Sequence, residues 1–140
     1  MVIKIQFLCK YNAFRSRAAE GYFKKINKNK NIKVSSAGFI KSNGADKLQK
    51  QIIKEILGVE IKGSSRQVDL EELRKQDLVV IVAKDIPKIM FNHKNGYGKA
   101  KFIFWNIKDE HLQNRKNIEK IVNKIKTKVE KLVKELSRKS

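Results

Sequence analysis

Five consecutive apolar residues, Leu78-Val79-Val80-Ile81-Val82, most of them β-branched, constrain this chain more than any other stretch. A strand with one wet face alternates polar and apolar side chains. This run does not, so it predicts a strand covered on both faces, the setting of a parallel sheet between helices. Further strand patterns fall at Val2 to Cys9, at Ile32 to Ser36 (closed by Ala37-Gly38) and at Ala100 to Phe104. Between them the apolar spacing turns helical. Ala18, Ala19, Tyr22, Phe23 and Ile26 predict a helix over about Ser16 to Lys28. Ala45, Leu48, Ile52, Ile53, Ile56 and Leu57 predict a second, stopped by Gly58. Asp69 is placed to cap a short helix over Leu70 to Lys75, and Asp85 to open another with Pro87 in its first turn. From His111 onward, Ile118, Ile121, Val122, Ile125, Val129, Leu132, Val133 and Leu136 form one stripe of a long terminal helix. Strands alternating with helices imply right-handed crossovers. The predicted fold is α/β, a three-layer α/β/α sandwich with a four-stranded parallel sheet.

A chain of 140 residues with no internal repeat or linker predicts one domain over residues 1–140. No apolar run approaches membrane-spanning length, so no membrane partner is expected. The first residues enter a strand pattern without the features of a signal peptide, and the single cysteine excludes an internal disulfide framework. Both predict a cytoplasmic protein. The net charge of +19 raises the question of nucleic acid. The lysines, however, are spread along every segment, without an arginine-rich tail or aromatic–basic alternation. Specific nucleic-acid binding is therefore not expected, whereas long-range attraction of acidic partners is. Residues 111–140 carry ten Lys or Arg against three Glu, which reads first as a solvated outer helix face.

The first predicted strand ends on the chain's only cysteine, and Lys10-Tyr11-Asn12-Ala13-Phe14-Arg15-Ser16 leads from it into a helix. A loop with Cys-x5-Arg spacing that closes a strand onto a helix N-terminus can turn its amides inward. With the positive helix end they cradle a tetrahedral oxyanion such as phosphate, sulfate or arsenate. Arg15 adds a planar fork for two oxygens, and the same field favours a thiolate at Cys9. Ser16 is placed to hydrogen-bond that thiolate, and Asn12 tolerates the left-handed backbone a tight loop needs. In an open parallel sheet this loop lies at the carboxyl edge, where the loop after the last strand, Trp105 to Glu110, faces the same crevice. His93 and His111 have no partner at metal-ligand spacing, and no metal or cofactor is expected.

The sequence resembles the low-molecular-weight protein tyrosine phosphatases and the related arsenate reductases over most of its length. The resemblance rests on Cys9 to Ser16, on Ser35-Ser36-Ala37-Gly38, on Arg66-Gln67 and on Trp105 to Asp109. It implies that Cys9 is the nucleophile, Arg15 the phosphate clamp and Asp109 the general acid and then base, with Glu110 the competing carboxylate. Lys10, Tyr11, Asn12, Ala13, Phe14 and Ser16 would form the substrate-binding loop. Tyr11 stands where the family usually has glycine, Phe14 where many members have a second cysteine, and Asp109-Glu110 where Asp-Pro is usual. The implied activity is cysteine-dependent hydrolysis of phosphomonoesters through a phosphocysteine, with a phosphorylated protein or small aryl phosphate as substrate. Phosphotyrosine suits the pocket best, Tyr11 being able to stack on its ring, while the small Ala13 leaves room for other phospho-amino acids, including phosphoarginine. The alternatives are an arsenate reductase using an external thiol, and a basic phosphate- or phosphoprotein-binding module with little turnover.

Overall fold

The computed structural model describes residues 2–40, 42, 44–62, 65–84, 86, 98–108 and 114–138. Its elements in chain order are β1 (Ile3–Cys9), α1 (Arg15–Ile26), β2 (Ile32–Gly38), α2 (Lys47–Leu57), α3 (Leu70–Arg74), β3 (Leu78–Ala83), β4 (Lys101–Ile107) and α4 (Arg115–Arg138). The strands form one parallel sheet in the order β2-β1-β3-β4. The non-alternating run is β3, with Val80 and Val82 on one face and Val79 and Ile81 on the other, all fully buried. On the first face Ile5 and Phe7 of β1 join Phe23 of α1, Ile52 and Ile53 of α2, and Ile118 and Ile125 of α4. On the second, Leu8, Val79 and Ile81 pack with Leu73 of α3. This is the expected α/β/α arrangement.

Local chemistry sets the element ends. Asp46 and Gln49 form a reciprocal capping box at the start of α2: Gln49 N–H donates to Asp46 Oδ1 at 2.8 Å, and Asp46 N–H donates to Gln49 Oε1 at 3.1 Å. Gly58 ends that helix in the left-handed region at φ 67°. Asp69 caps α3 by accepting from the Glu71 amide at 2.9 Å. The buried Tyr22 of α1 donates to Glu130 of α4 at 2.7 Å, and burial together with that bond pushes its phenol up to about 12. The short helix expected after Asp85 falls outside the described residues, as do His93 and His111. Among the described residues, no helix is long and apolar enough to cross a membrane.

The fourth strand differs from expectation. It runs to Ile107, three residues beyond Phe104, so Trp105 to Ile107 belong to the sheet rather than to a loop. Trp105 continues the strand because its ring packs on Phe7 with centroids 5.6 Å apart. Pairing with β3 shifts register between Ile81 and Ala83, so that Ile81 faces Phe104 but Ala83 faces Ile107. Asn106, at φ 56°, takes up the extra residue as a bulge.

At the opposite edge of the sheet, Asp77 accepts from the Lys4 amide at 2.8 Å and pairs with Lys99 at 3.0 Å. These contacts, the Lys4 amide first, hold its carboxyl below the usual range. A depressed folded pKa contributes stability above the unfolded value of about 3.9, which is lost as pH falls through the lower folded value. Thermal melts from pH 7 downward should therefore show a shallower acid decline for Asp77→Asn, on a lower neutral Tm. An unchanged decline would remove Asp77 from the acid-labile set.

Candidate active site

β1 delivers Cys9 to the carboxyl edge of the sheet, 2% exposed. The loop after it turns at Asn12, whose φ of 50° lies in the left-handed region. Asparagine adopts that conformation more readily than most residues. Tyr11 is not among the residues of positive φ, so the β-carbon it carries in place of the family's usual glycine meets no strain there. The loop closes on α1, whose N-cap, Phe14, makes no side-chain cap hydrogen bond. The amides and positive end of the first turn are thus left to an anion rather than spent on a cap.

Around the sulfur the polar groups form one hydrogen-bonded cluster. The Asn12 amide N–H donates to Cys9 Sγ at 3.1 Å, and Ser16 Oγ lies 2.9 Å from the same atom. Asn12 Nδ2 donates to Ser16 Oγ at 2.7 Å and to Ser36 Oγ at 2.9 Å, while its Oδ1 accepts from the Arg66 amide at 2.8 Å. Asn12 therefore spends both its protons and its carbonyl inside the protein. Ser16 Oγ accepts from Asn12 and shares its second hydrogen bond with the sulfur. Ser36 in turn donates to Glu20, which is paired with Lys24 at 2.6 Å. A chain of hydrogen bonds thus runs from an ion pair on α1 to the Cys9 sulfur, which two polar groups, the Asn12 amide and Ser16 Oγ, contact.

Arg15 is 4% exposed, and its Nη1 donates to the carbonyl of Ile107 at 2.9 Å. The same carbonyl accepts from the Lys84 amide at 2.9 Å. The bulge at Asn106 brings Ile107 opposite Ala83, and so the end of β4 anchors the guanidinium beside the loop. Cys9, Tyr11, Ala13, Phe14, Arg15 and Gln49 line one pocket of about 120 Å³. Tyr11 stands at its mouth, 37% exposed, with the Lys10 ammonium 5.3 Å from its ring centroid.

The predicted site residues are thus largely brought together. Cys9, Tyr11, Ala13, Phe14 and Arg15 line the pocket, and Asn12 and Ser16 hold the sulfur from behind. Lys10 is not in the lining: its ammonium covers Tyr11, and its carbonyl accepts from the Ile40 amide at 2.8 Å. Asp109 and Glu110 lie outside the described residues. Gln49, Glu20 and the Ile107 carbonyl were not singled out from sequence. Gln49 had a signal, the Asp46-x-x-Gln49 capping pattern that fixes its backbone at the pocket, and Glu20 lies one helical turn beyond Ser16. A backbone carbonyl leaves none.

Comparison with known proteins agrees with this fold. Among solved structures, an arginine phosphatase from Geobacillus stearothermophilus is 20% identical with a TM-score of 0.80, covering 98% of this chain and 94% of its own. A low molecular weight protein tyrosine phosphatase from T. tengcongensis is 21% identical with a TM-score of 0.77, covering 95% of this chain and 99% of its own. An arsenate reductase from Archaeoglobus fulgidus is 24% identical with a TM-score of 0.73, covering 92% and 98%. These likenesses establish the fold. A search of curated proteins gives no significant match. The sequence profile described as low molecular weight phosphotyrosine protein phosphatase matches residues 4–140, and the chain therefore belongs to that family.

Proposed function

We propose that this protein hydrolyses phosphomonoesters, protein phosphotyrosine in the first place, through a phosphocysteine at Cys9. Membership of the family supports an enzyme of phosphatase type. The observation that carries the reading is the sulfur itself, which accepts from the Asn12 amide and is hydrogen-bonded to Ser16 Oγ beside the buried Arg15. In the proposed reaction the Cys9 thiolate attacks phosphorus opposite the ester oxygen. The P–S bond forms as the P–O bond breaks, and Asp109 gives its proton to the departing oxygen. Water then attacks the phosphocysteine, yielding its proton to Asp109 and releasing phosphate and the thiolate. Arg15 and the loop amides hold the equatorial oxygens, where charge is greatest in the transition state. Tyr11 at the mouth offers a flat surface to an aryl ester, and Ala13 leaves space beside it.

Hydrolysis of p-nitrophenyl phosphate without added metal tests this reading. Wild-type turnover should vanish in Cys9→Ser and Arg15→Ala and fall by about 10²-fold or more in Asp109→Asn. Phosphotyrosine and phosphoarginine peptides assayed in parallel rank the substrates. Arsenate turnover with an added thiol, and none of the phosphate ester, would replace the phosphatase reading with a reductase. Unchanged turnover in Cys9→Ser would exclude the mechanism.

A further inference from the structure

α4 carries Lys116, Lys120, Lys124 and Lys128 at successive four-residue intervals, all exposed. Residues four apart stack on one helix face, and like charges so placed oppose helix formation. A solvated face has no need of such a stack, since alternating signs would serve solubility and support the helix. The ridge borders a groove between α4 and β4, with a section of about 710 Å³ adjoining Lys108, Lys116 and Lys120 and one of about 470 Å³ adjoining Trp105 and Lys128. Both sections share Ile107, Asn123 and Lys124 as lining. The only carboxylate among the described lining residues, Glu119, is matched by Arg115 Nε at 2.8 Å. Among the described residues the groove is therefore a strip of positive charge without matching carboxylates, with Trp105, Ile107 and Ile121 as its apolar part.

Ile107 places this strip. The residue lines the groove, while its carbonyl holds Arg15 at the catalytic pocket. A pocket of about 120 Å³ admits little beyond the phosphoryl group and part of its ester, so the rest of a macromolecular substrate must lie outside it. We infer that the β4–α4 groove seats an acidic segment of the substrate protein flanking its phosphorylated residue. The inference rests on the phosphatase reading above and adds to it a substrate class, phosphoproteins with Asp- or Glu-rich sequence beside the modified residue. Charge complementarity selects a polypeptide over nucleic acid here. Among the described lining residues the cations are all lysines, without the arginine forks that grip phosphates in pairs, and Trp105 packs on Phe7 instead of standing free to stack on bases.

Binding tests the inference independently of turnover. In the full-length Cys9→Ser protein, a fluorescent phosphotyrosine peptide flanked by glutamates should bind about tenfold or more tighter than the same peptide flanked by serine and glutamine. The margin should shrink as salt rises from about 0.05 to 0.5 M. Adding Lys120→Glu, Lys124→Glu and Lys128→Glu should abolish it, the three Lys→Gln changes should reduce it, and the three Lys→Arg changes should preserve it. With Cys9 intact, the charge-reversed protein should hydrolyse p-nitrophenyl phosphate at the wild-type rate. Equal affinity for the two peptides, or a margin indifferent to charge reversal, would overturn the inference. So would charge reversal that abolishes retention of duplex DNA while sparing the peptides. Wild type that turns over no phosphate ester would sink the phosphatase reading, and the binding comparison would still decide the groove.

Discussion

Replacing Arg15 with lysine is expected to lower kcat/KM for p-nitrophenyl phosphate by about 10³-fold, although the charge is kept. The guanidinium is 4% exposed and already donates Nη1 to the Ile107 carbonyl at 2.9 Å. Its planar fork allows it to hold that carbonyl and still present further N–H groups toward two phosphoryl oxygens. An ammonium is a point charge on a flexible stem, and one group cannot keep the anchor and grip both oxygens in fixed geometry. Because the lost interactions are strongest in the transition state, kcat should fall further than KM rises. Near-UV circular dichroism would show that packing survives. Activity within about tenfold of wild type would mean that Arg15 does not contact the transferring group.

Gly38→Ala is the second change expected to be severe, and it touches no substrate. A β-carbon there would lie 2.5 Å from the Asn12 nitrogen and 2.6 Å from the Tyr11 carbonyl carbon. Both are backbone atoms, so the clash cannot be relieved by a side-chain rotation. β2 is also fixed: Gly38 accepts from Val68 N–H and donates to the Arg66 carbonyl, each at 2.8 Å. The Cys9 loop must therefore move, and with it the Asn12 amide that donates to Cys9 Sγ. Displacement of a reacting group by about 1 Å costs about 10²-fold in rate. We expect at least that loss in kcat, with a lower Tm and weaker thermal protection by vanadate. Wild-type kinetics in Gly38→Ala would show that the close approach of β2 does not set the loop.

The residues differ in how much of this could be read from sequence. β3 was legible because burial on both faces removes polar alternation, and the Cys9 loop because cysteine, arginine and helix start fall within one short stretch of the chain. The Gly58 stop of α2 and the Asp69 cap of α3 were legible for the same reason, each being a local signal in the chain, whereas the Asp46–Gln49 box was not read. β4 was cut short because Trp105-Asn106-Ile107 mixes signals: Asn106 reads as a turn residue, and only pairing with Ala83 across the bulge shows that the strand continues. The consequence of that bulge was equally hidden. Arg15 is held by a carbonyl 92 residues away, a contact made by backbone that no side-chain pattern encodes. Glu20 behind Ser36 belongs to the same class, since its role depends on β2 passing the first turns of α1. The lysine ridge of α4 was visible as composition, but only the groove beside it distinguishes it from an ordinary wet face.

The most direct test of the account is to quench wild-type protein in acid during turnover of p-nitrophenyl phosphate and map covalent phosphate by mass spectrometry. The account predicts one phosphoryl group, on the peptide carrying Cys9, absent from Cys9→Ala and accumulating when Asp109→Asn slows its hydrolysis. Turnover with no phosphoryl group on Cys9, or with the group on another residue, would contradict it.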